Sequence, residues 1–449
     1  MSTTRPIAQT TAQAYATINP DEALQSGDSR YVPLDAARGI NNIANSLTKR
    51  IVAHEENTPD VYARFLVTGH RGCGKTTELY RLKELIAKEN FPVVYYDAET
   101  ELNLQSLNWW NVLLEMVWQI DEQLSQGPYN LRIPAELLED ATGWLARVVT
   151  KKTEKTEVEA SLNSEFGIGA DLPFFAKVKV AVKSLIKTGS STVKEIQLEA
   201  ERRPAQLHNA VKDIISHAHD ALQKQGYRNL VIIVDGLEKM PLQPLTAPLT
   251  THNNLFIHNG SHLKEPPCHL IYPIPLALLH SEKVGEVFPE RPILMPMIHV
   301  RHRDGQEDNN ALDLMAKVIE RRVSPDLFAS GVIKMLALAS GGHIRDLLHL
   351  VREAAAEAET NVTEAHGKRA IAGLTDLYER TIKQEFIETL DHVRDHDVLP
   401  GGPQDGELVN LLLVLEYRND DSWSALHPCV RDAPRYVRSP REQKEEITT

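Results

Sequence analysis

The chain has 449 residues, of which 42% are hydrophobic, and a formal net charge of −13. This length predicts about three domains, and the apolar content is sufficient for packed cores, which excludes wholesale disorder. The negative charge argues against a protein coated for indiscriminate binding to nucleic acid, although a local basic patch stays compatible with it.

Cysteine usage and hydropathy indicate where the protein works. The three cysteines lie far apart and form no pattern, which favours a reducing compartment and no disulfide framework. No run approaches about 18 consecutive apolar residues. The N-terminus lacks the basic start and apolar centre of a signal peptide. We therefore expect a soluble, cytoplasmic protein without a membrane partner.

A polar lead-in occupies residues 1–28, and a helical pattern begins after it. Apolar residues recur at helix spacing from Ile40 to Ile51, and Asp35 is the candidate N-cap.

A glycine-rich turn follows at residues 69–76, between an apolar β-prone run and a helix-forming run. It fits G-x-x-x-x-G-K-[ST], the Walker A or P-loop pattern. Its glycines let backbone N–H groups curl around phosphate oxygens, and the next helix directs its positive N-terminus at the same anion. The predicted nucleotide-binding residues of the loop are Gly69, His70, Arg71, Gly72, Cys73, Gly74, Lys75, Thr76 and Thr77.

The last two residues of this loop are predicted to contact the phosphates and the metal ion. Lys75 is expected to reach the β- and γ-phosphates of ATP, and the Thr76 hydroxyl is expected to ligate Mg²⁺. A helix just before such a strand often lies across the nucleotide, so Tyr31 and Val32 are candidates to touch the base. Ordinary packing explains these two residues equally well.

A second buried strand ends at Asp97, which is a candidate for the γ-phosphate region or simply a helix cap. The amphipathic stripe of residues 107–124 predicts a core helix. Residues 126–205 then read as an insertion with recurring lysines between Lys177 and Lys187. These lysines could meet a partner or nucleic acid, but acids follow closely, which favours a solvated helix face.

The apolar run from Leu230 to Val234 has the composition of a strand buried on both faces, and it ends in Asp235 and, shortly after, Glu238. This is a Walker B pattern. Asp235 is expected to hold Mg²⁺ through water, and Glu238 is the candidate to polarise the attacking water.

Two further apolar runs, at 269–274 and 292–298, predict the fourth and fifth parallel strands. Arg291 immediately precedes the last of them. It is a candidate to reach the γ-phosphate of a neighbouring subunit, and a surface arginine at a strand start is the alternative.

The remainder is predicted to be helical, with helices at 327–340, from His343 to about 360, and from 363 to 393, before a helix and hairpin at 406–428. His392 and His396 have the i, i+4 spacing of metal ligands, but a charged helix end explains them better. The final helices and hairpin resemble a winged helix, which either binds DNA or packs on the core.

The chain resembles the AAA+/STAND-type P-loop ATPases, with a layout nearest to the origin-recognition initiator ATPases and the bacterial STAND ATPases. The resemblance is carried by residues 69–76, by 231–238, and by the Ser-Gly-Gly-His-Ile-Arg run at 340–345. It implies that Arg345 senses the γ-phosphate from a lid domain. The Walker B run departs from the family by reading Asp-Gly-Leu-Glu, and the insertion belongs to neither pattern.

The resemblance implies an α/β fold: a parallel-sheet P-loop NTPase core of the ASCE/AAA+ kind, a helical lid and a C-terminal winged-helix-like domain. The predicted parts are a flexible lead-in at 1–28, the ATPase core at 29–300 with the insertion 126–205, the lid at 301–375, the winged-helix-like domain at 376–430 and a mobile tail at 431–449.

The resemblance also implies a function: a slow ATPase that works as a molecular switch. Its nucleotide state would control assembly into a homo-oligomer or with a separate effector protein, in bacterial signalling or anti-phage defence. Three alternatives stay open. They are a DNA-loading or DNA-remodelling ATPase that uses the winged helix, a scaffold that binds nucleotide without hydrolysing it, and kinase chemistry, which is weaker because no acceptor site is visible.

Overall fold

The computed structural model describes residues 5–40, 42–152, 155–165, 172–188, 190–245, 249–281, 284–419 and 421–439. Most of the predicted tail, from residue 440 onward, lies outside the described residues. None of the described helices is both long enough and apolar enough to cross a bilayer.

A parallel sheet forms the centre of the described core. Its strands are β1 (Arg64–Gly69), β2 (Val93–Asp97), β3 (Val231–Asp235), β4 (His269–Pro273) and β5 (Ile293–Met295). Their order is β2-β3-β4-β1-β5, and each neighbouring pair is parallel. Because parallel strands end at one edge, β1 and β3 deliver the phosphate loop and Asp235 to the same side of the sheet. The predicted α/β class is confirmed.

Helices surround this sheet. The helices up to β5 are α1 (Thr11–Thr17), α2 (Ile43–Asn57), α3 (Lys75–Lys88), α4 (Ala98–Glu101), α5 (Trp109–Leu124), α6 (Ala135–Thr150), α7 (Lys155–Glu165), α8 (Phe174–Thr188), α9 (Thr192–Arg202), α10 (Pro204–Lys224), α11 (Thr251–Asn253), α12 (Gly260–Lys264) and α13 (Ala277–Ser281).

Each face of the sheet is covered by its own apolar layer. One layer contains α5, α6 and α10, and the other contains α2, α3 and part of the C-terminal hairpin. Strands β1, β3 and β4 are buried along their whole length, which explains their near-continuous apolar sequences.

The insertion is continuous with the first of these layers. Its described helices α7, α8 and α9 pack on α6, and they bury Leu162, Val182 and Ile196 in the same core as α5. The insertion therefore enlarges the apolar layer that covers this face of the sheet.

The described part of the lead-in, residues 5–28, packs against the lid through a few apolar residues. Helix α1 lies on α16, a lid helix defined below, and buries Ala14. Residue Ala8 forms a parallel bridge with Val323. The polar composition of this segment concealed its few apolar anchor residues.

The helices after β5 are α14 (Asn309–Glu320), α15 (Val332–Ala339), α16 (Ile344–Ala356), α17 (Glu364–Glu379), α18 (Ile387–His396), α19 (Asp405–Asn410), α20 (Pro428–Arg431) and α21 (Pro434–Val437). An antiparallel hairpin of β6 (Val414–Arg418) and β7 (Ser422–Leu426) follows α19. The lid and the winged-helix-like module have separate apolar clusters. The predicted domain boundaries stay predictions.

Several predicted element bounds were wrong. Asp35 makes no capping hydrogen bond, and Asn42 caps α2 instead, accepting from Asn45 N–H at 2.8 Å. The helix predicted at 327–340 starts only at Val332, and the one predicted at 363–393 is divided into α17 and α18. Helix α14 was not recognised, although Asp308 caps it. Apolar spacing does not reveal such breaks when packing continues across them.

Gly342 allows the lid to approach the core. Its φ is +81°, and a Cβ there would lie 1.8 Å from the Ile298 carbonyl oxygen. Gly331 has the same φ of +81°, but nothing lies within 4 Å of its Cβ position.

We predict that Gly342→Ala lowers the free energy of unfolding by more than Gly331→Ala. Both changes carry the left-handed backbone penalty of about 1–2 kcal/mol, but the first also drives a methyl group into a backbone carbonyl. Urea unfolding of the two variants measures the difference, and equal losses would contradict the close approach.

Candidate nucleotide site

The loop between β1 and α3 adopts a conformation that glycine makes possible. Gly74 has a φ of +103° and forms the N-terminal boundary of α3. Gly72 has a φ of +86°, and a Cβ there would lie 2.5 Å from Nε2 of His343. The predicted strand–loop–helix arrangement is therefore present, with the N-terminus of a 14-residue helix opening onto the loop.

Lys75 is buried inside the loop. Its Nζ donates to the carbonyl oxygens of Gly69 at 2.9 Å and His70 at 3.0 Å, and it lies 3.5 Å from Oε1 of Glu238. The Walker A lysine and the candidate water-activating acid thus meet at one point.

Asp235 lies at the end of β3, fully buried behind Thr76. It accepts hydrogen bonds from the Tyr95 hydroxyl at 2.6 Å, from Gly236 N–H at 2.8 Å and from the Thr76 side chain. Burial, followed by the neighbouring Glu238 carboxylate, raises the pKa of Asp235.

The oxygen atoms around the loop can be compared with the ligands that Mg²⁺ prefers. Thr76 and Asp235 offer the hard oxygen donors that Mg²⁺ prefers. Glu238 has a buried Oε2 without a hydrogen-bond partner among the described residues. Two acids that face each other in a buried place are stabilised by a cation, so the residues present fit Mg²⁺.

A cleft of about 380 Å³ opens above the loop. The described core residues on its wall include 71–77, Asp97 and Glu238. Asp97 accepts from Glu99 N–H at 2.9 Å, so it caps α4 and also faces the cleft. Gly69 and His70 were predicted to bind nucleotide, but they lie outside the described lining of the cleft.

The segment before α2 forms a second wall. Tyr31 and Val32, the candidates to touch the base, both line the cleft. The Tyr31 hydroxyl donates to Glu78 at 2.9 Å, and the Arg81 guanidinium covers the ring. Residues 20–24 of the lead-in also line the cleft, which sequence reasoning missed.

The lid supplies the third wall. Arg345 lines the cleft and lies 2.9 Å from Oδ1 of Asp21 in the lead-in. Arg322 lines the cleft as well, and burial, followed by Arg30, lowers its pKa to about 10. The two lid arginines place positive charge opposite the phosphate loop.

The lid also contacts the loop backbone directly. His343 Nε2 donates to the Arg71 carbonyl oxygen at 2.7 Å, and its Nδ1 lies 3.1 Å from Oδ1 of Asp346. Burial acts to raise the pKa of Asp346, but His343 and His427 outweigh it and hold that pKa well below its usual range. Tyr378 donates to the same carboxylate at 2.7 Å.

The C-terminal module contacts the loop through His70, whose side chain is buried. Glu416 N–H donates to Nε2 at 2.8 Å, so Nδ1 carries the proton and donates to the Val409 carbonyl at 3.3 Å. Burial lowers the pKa of His70 to about 3, and the charges of His343 and Lys75 contribute. His70 therefore connects the loop to the winged-helix-like module.

Arg291 is exposed and lies at the amino end of β5. The cleft opens at the carboxyl end of the strands, so Arg291 does not reach the site of its own chain. Its predicted role toward a neighbouring subunit stays a prediction.

Residues 40–260 match the family described as the KAP family P-loop domain. The match contains the phosphate loop, Asp235 and Glu238, and also the insertion that departed from the simpler patterns.

The described core has the parallel α/β fold of the P-loop NTPases.

Several solved structures resemble this chain over most of its length, at low sequence identity. The Aeropyrum pernix ORC2 protein is 13% identical with a TM-score of 0.43, over 91% of this chain and 94% of that one. Drosophila ORC bound to DNA is 13% identical with a TM-score of 0.38, over 98% and 95%. Cdc6p from Pyrobaculum aerophilum is 10% identical with a TM-score of 0.36, over 89% and 93%. A search of the curated proteins found no match.

The lowered pKa of His70 predicts that the free energy of unfolding of this protein depends on pH. The unfolded chain takes up a proton on this residue below about pH 6.5, whereas the folded chain keeps it neutral down to about pH 3. Stability is therefore lost as the pH falls through this window. Between pH 7.5 and 5.0 the loss from His70 is about 2 kcal/mol.

We expect His70→Gln to remove this contribution, because glutamine keeps an acceptor for Glu416 N–H but does not titrate. Urea unfolding at both pH values gives the loss for each protein. His396→Gln, at an exposed position, should leave the wild-type loss unchanged. The same loss in wild type and His70→Gln would refute the assignment.

Proposed function

We propose that this protein is a slow ATPase that works as a switch. The observation that carries the proposal is the composition of the cleft wall. Core residues Lys75 and Glu238 and lid residue Arg345 border one space, so a single bound nucleotide would touch both parts. A ligand shifts a conformational equilibrium when it contacts the two states differently.

ATP would be bound by the loop amides, by Lys75 at the β- and γ-phosphates, and by Tyr31 and Val32 at the base. Thr76 and Asp235 would hold Mg²⁺, which supplies charge neutralisation at the phosphates when bound. Glu238 would orient the attacking water and accept its proton. Arg345 would exchange its contact with Asp21 for the γ-phosphate, and this exchange would report the nucleotide state to the lid.

Two routes lead from the loop to the rest of the chain. His343 bonds to the Arg71 carbonyl and belongs to the lid. His70 bonds to the backbone at Val409 and Glu416 and leads to the winged-helix-like module. Both routes attach to the loop that would bind the phosphates, so nucleotide exchange would alter both interfaces.

We further propose that the ATP-bound form assembles with itself or with a separate effector protein, in bacterial signalling or anti-phage defence. This part rests on the resemblance to STAND ATPases. Arg291 would then act toward the γ-phosphate of a neighbouring subunit, since it is exposed away from its own cleft.

The alternative is a DNA-dependent ATPase, which needs a free basic surface. The described lysines of the insertion do not favour it. Lys177 is buried, Lys179 pairs with Glu122 at 3.1 Å, and Lys183 pairs with Glu101 and Glu115.

We predict that Glu238→Gln keeps ATP binding and lowers turnover by about 10²–10⁴-fold, the usual contribution of a general base. Lys75→Ala should lose ATP binding, because the ammonium group would contact the phosphates both in bound ATP and in the transition state of hydrolysis. Phosphate release and fluorescent-nucleotide titration separate the two effects. Glu353→Gln, an exposed acid on α16, is the control and should match wild type. Unchanged turnover in Glu238→Gln would support a non-hydrolysing scaffold instead.

Assembly gives a separate prediction, read as solution mass with and without ATP·Mg²⁺. Wild type should gain mass on ATP, Glu238→Gln should hold the larger form, and Arg291→Ala should not form it. Arg202→Ala, at another exposed arginine, should assemble normally. A constant mass combined with turnover that requires DNA would favour the DNA-dependent ATPase.

A further inference from the structure

The segment that joins β5 to lid helix α14 carries a second group of possible ligands. His299, His302 and Asp308 occur within ten residues. One donor atom from each lies within 4.8 Å of the other two. This group lies outside the nucleotide cleft, and the proposed mechanism does not use it.

Backbone hydrogen bonds hold the three residues together. His302 N–H donates to the Gln306 carbonyl at 2.8 Å, and Asp308 N–H donates to the Val300 carbonyl at 3.0 Å. These bonds close a short turn that brings Asp308 back beside Val300. His299 N–H donates to the Ala37 carbonyl at 3.0 Å, which anchors the other side. The donor group is therefore built into the fold.

The buried side chain of His299 has its Nδ1 beside a carboxylate. His299 is 6% exposed, and its Nδ1 has no hydrogen-bond partner among the described residues. Nδ1 lies 2.9 Å from Oδ2 of Asp308 without being aligned for a hydrogen bond. Buried polar atoms are rarely left in this state. Two donor atoms that are close but not aligned with each other can instead both be directed at a shared ion.

The two carboxylate oxygens of Asp308 make different contacts. Oδ1 accepts from Ala311 N–H at 3.0 Å and caps α14. Oδ2 faces the histidines, 2.9 Å from His299 and 3.9 Å from Nε2 of His302. Tetrahedral zinc with bonds of about 2.0–2.2 Å separates its ligand atoms by about 3.3–3.6 Å. The two observed distances lie on either side of this range.

We propose that His299, His302 and Asp308 bind a zinc ion through Nδ1, Nε2 and Oδ2, with water in the fourth position. Two imidazoles and one carboxylate suit zinc, whereas Mg²⁺ prefers an all-oxygen octahedral site. The half-exposed His302 provides the entry path. The neighbouring cations Arg301 and Arg303 are paired with Glu307 and Asp397, which limits their repulsion of the metal.

The position gives the ion a structural role. His299 follows the last core strand, and Asp308 begins the first lid helix. A shared ion would therefore fasten the connection between core and lid.

The experiment uses the full-length chain, stripped of metal with a chelator and free of nucleotide. Zinc is titrated against a chromophoric competitor, and bound zinc is counted by mass spectrometry after gel filtration. The variants are His302→Ala, at an exposed side chain, and Asp308→Asn, which keeps the helix cap because asparagine caps as well as aspartate. His396→Ala is the control, since it removes the competing His392–His396 pair. Circular dichroism confirms that each variant is folded.

Wild type and His396→Ala should bind one equivalent of zinc. His302→Ala and Asp308→Asn should bind it at least about 10- to 100-fold more weakly, because even outer-shell changes have effects of this size. Excess Mg²⁺ should not displace the zinc. Absence of zinc from wild type, equal affinity in all four proteins, or a loss confined to His396→Ala would each overturn the proposal.

Discussion

The backbone of the phosphate loop is the constraint on which the remaining structure depends. In the proposed nucleotide-bound state its peptide N–H groups face the phosphates, and the neighbouring elements contact its carbonyl groups and side chains instead. His343 of the lid bonds to the Arg71 carbonyl, His70 reaches the C-terminal module, and Arg38 donates to the Cys73 carbonyl at 2.6 Å. Three separate parts of the chain therefore meet at a single turn.

This arrangement explains why the lid uses two consecutive glycines. Gly341 and Gly342 both have positive φ, and Gly342 passes too close to the Ile298 carbonyl to carry a side chain. The turn brings His343 to the loop, and Arg345 follows two residues later at the cleft. A small backbone requirement thus sets the position of both side chains.

Buried charges at the site are compensated by neighbouring groups. Asp346 is almost fully buried, but His343, His427 and Tyr378 surround it, and its pKa is lowered. Asp235 accepts hydrogen bonds from Tyr95, Gly236 and Thr76 but also faces the Glu238 carboxylate, and its pKa is raised. This contrast separates a carboxylate that stabilises the lid from the acids that fit a cation.

The sequence by itself determined the parallel core, the phosphate loop and the two Walker B acids, because each depends on local spacing along one strand or turn. The tertiary structure decided that the polar lead-in lines the cleft, that His70 faces the C-terminal module instead of the cleft, and that Arg291 lies at the opposite edge of the sheet. It also brought His299, His302 and Asp308 together. These features arise from contacts between residues distant in sequence or from a turn closed by backbone hydrogen bonds, and apolar periodicity carries no record of either.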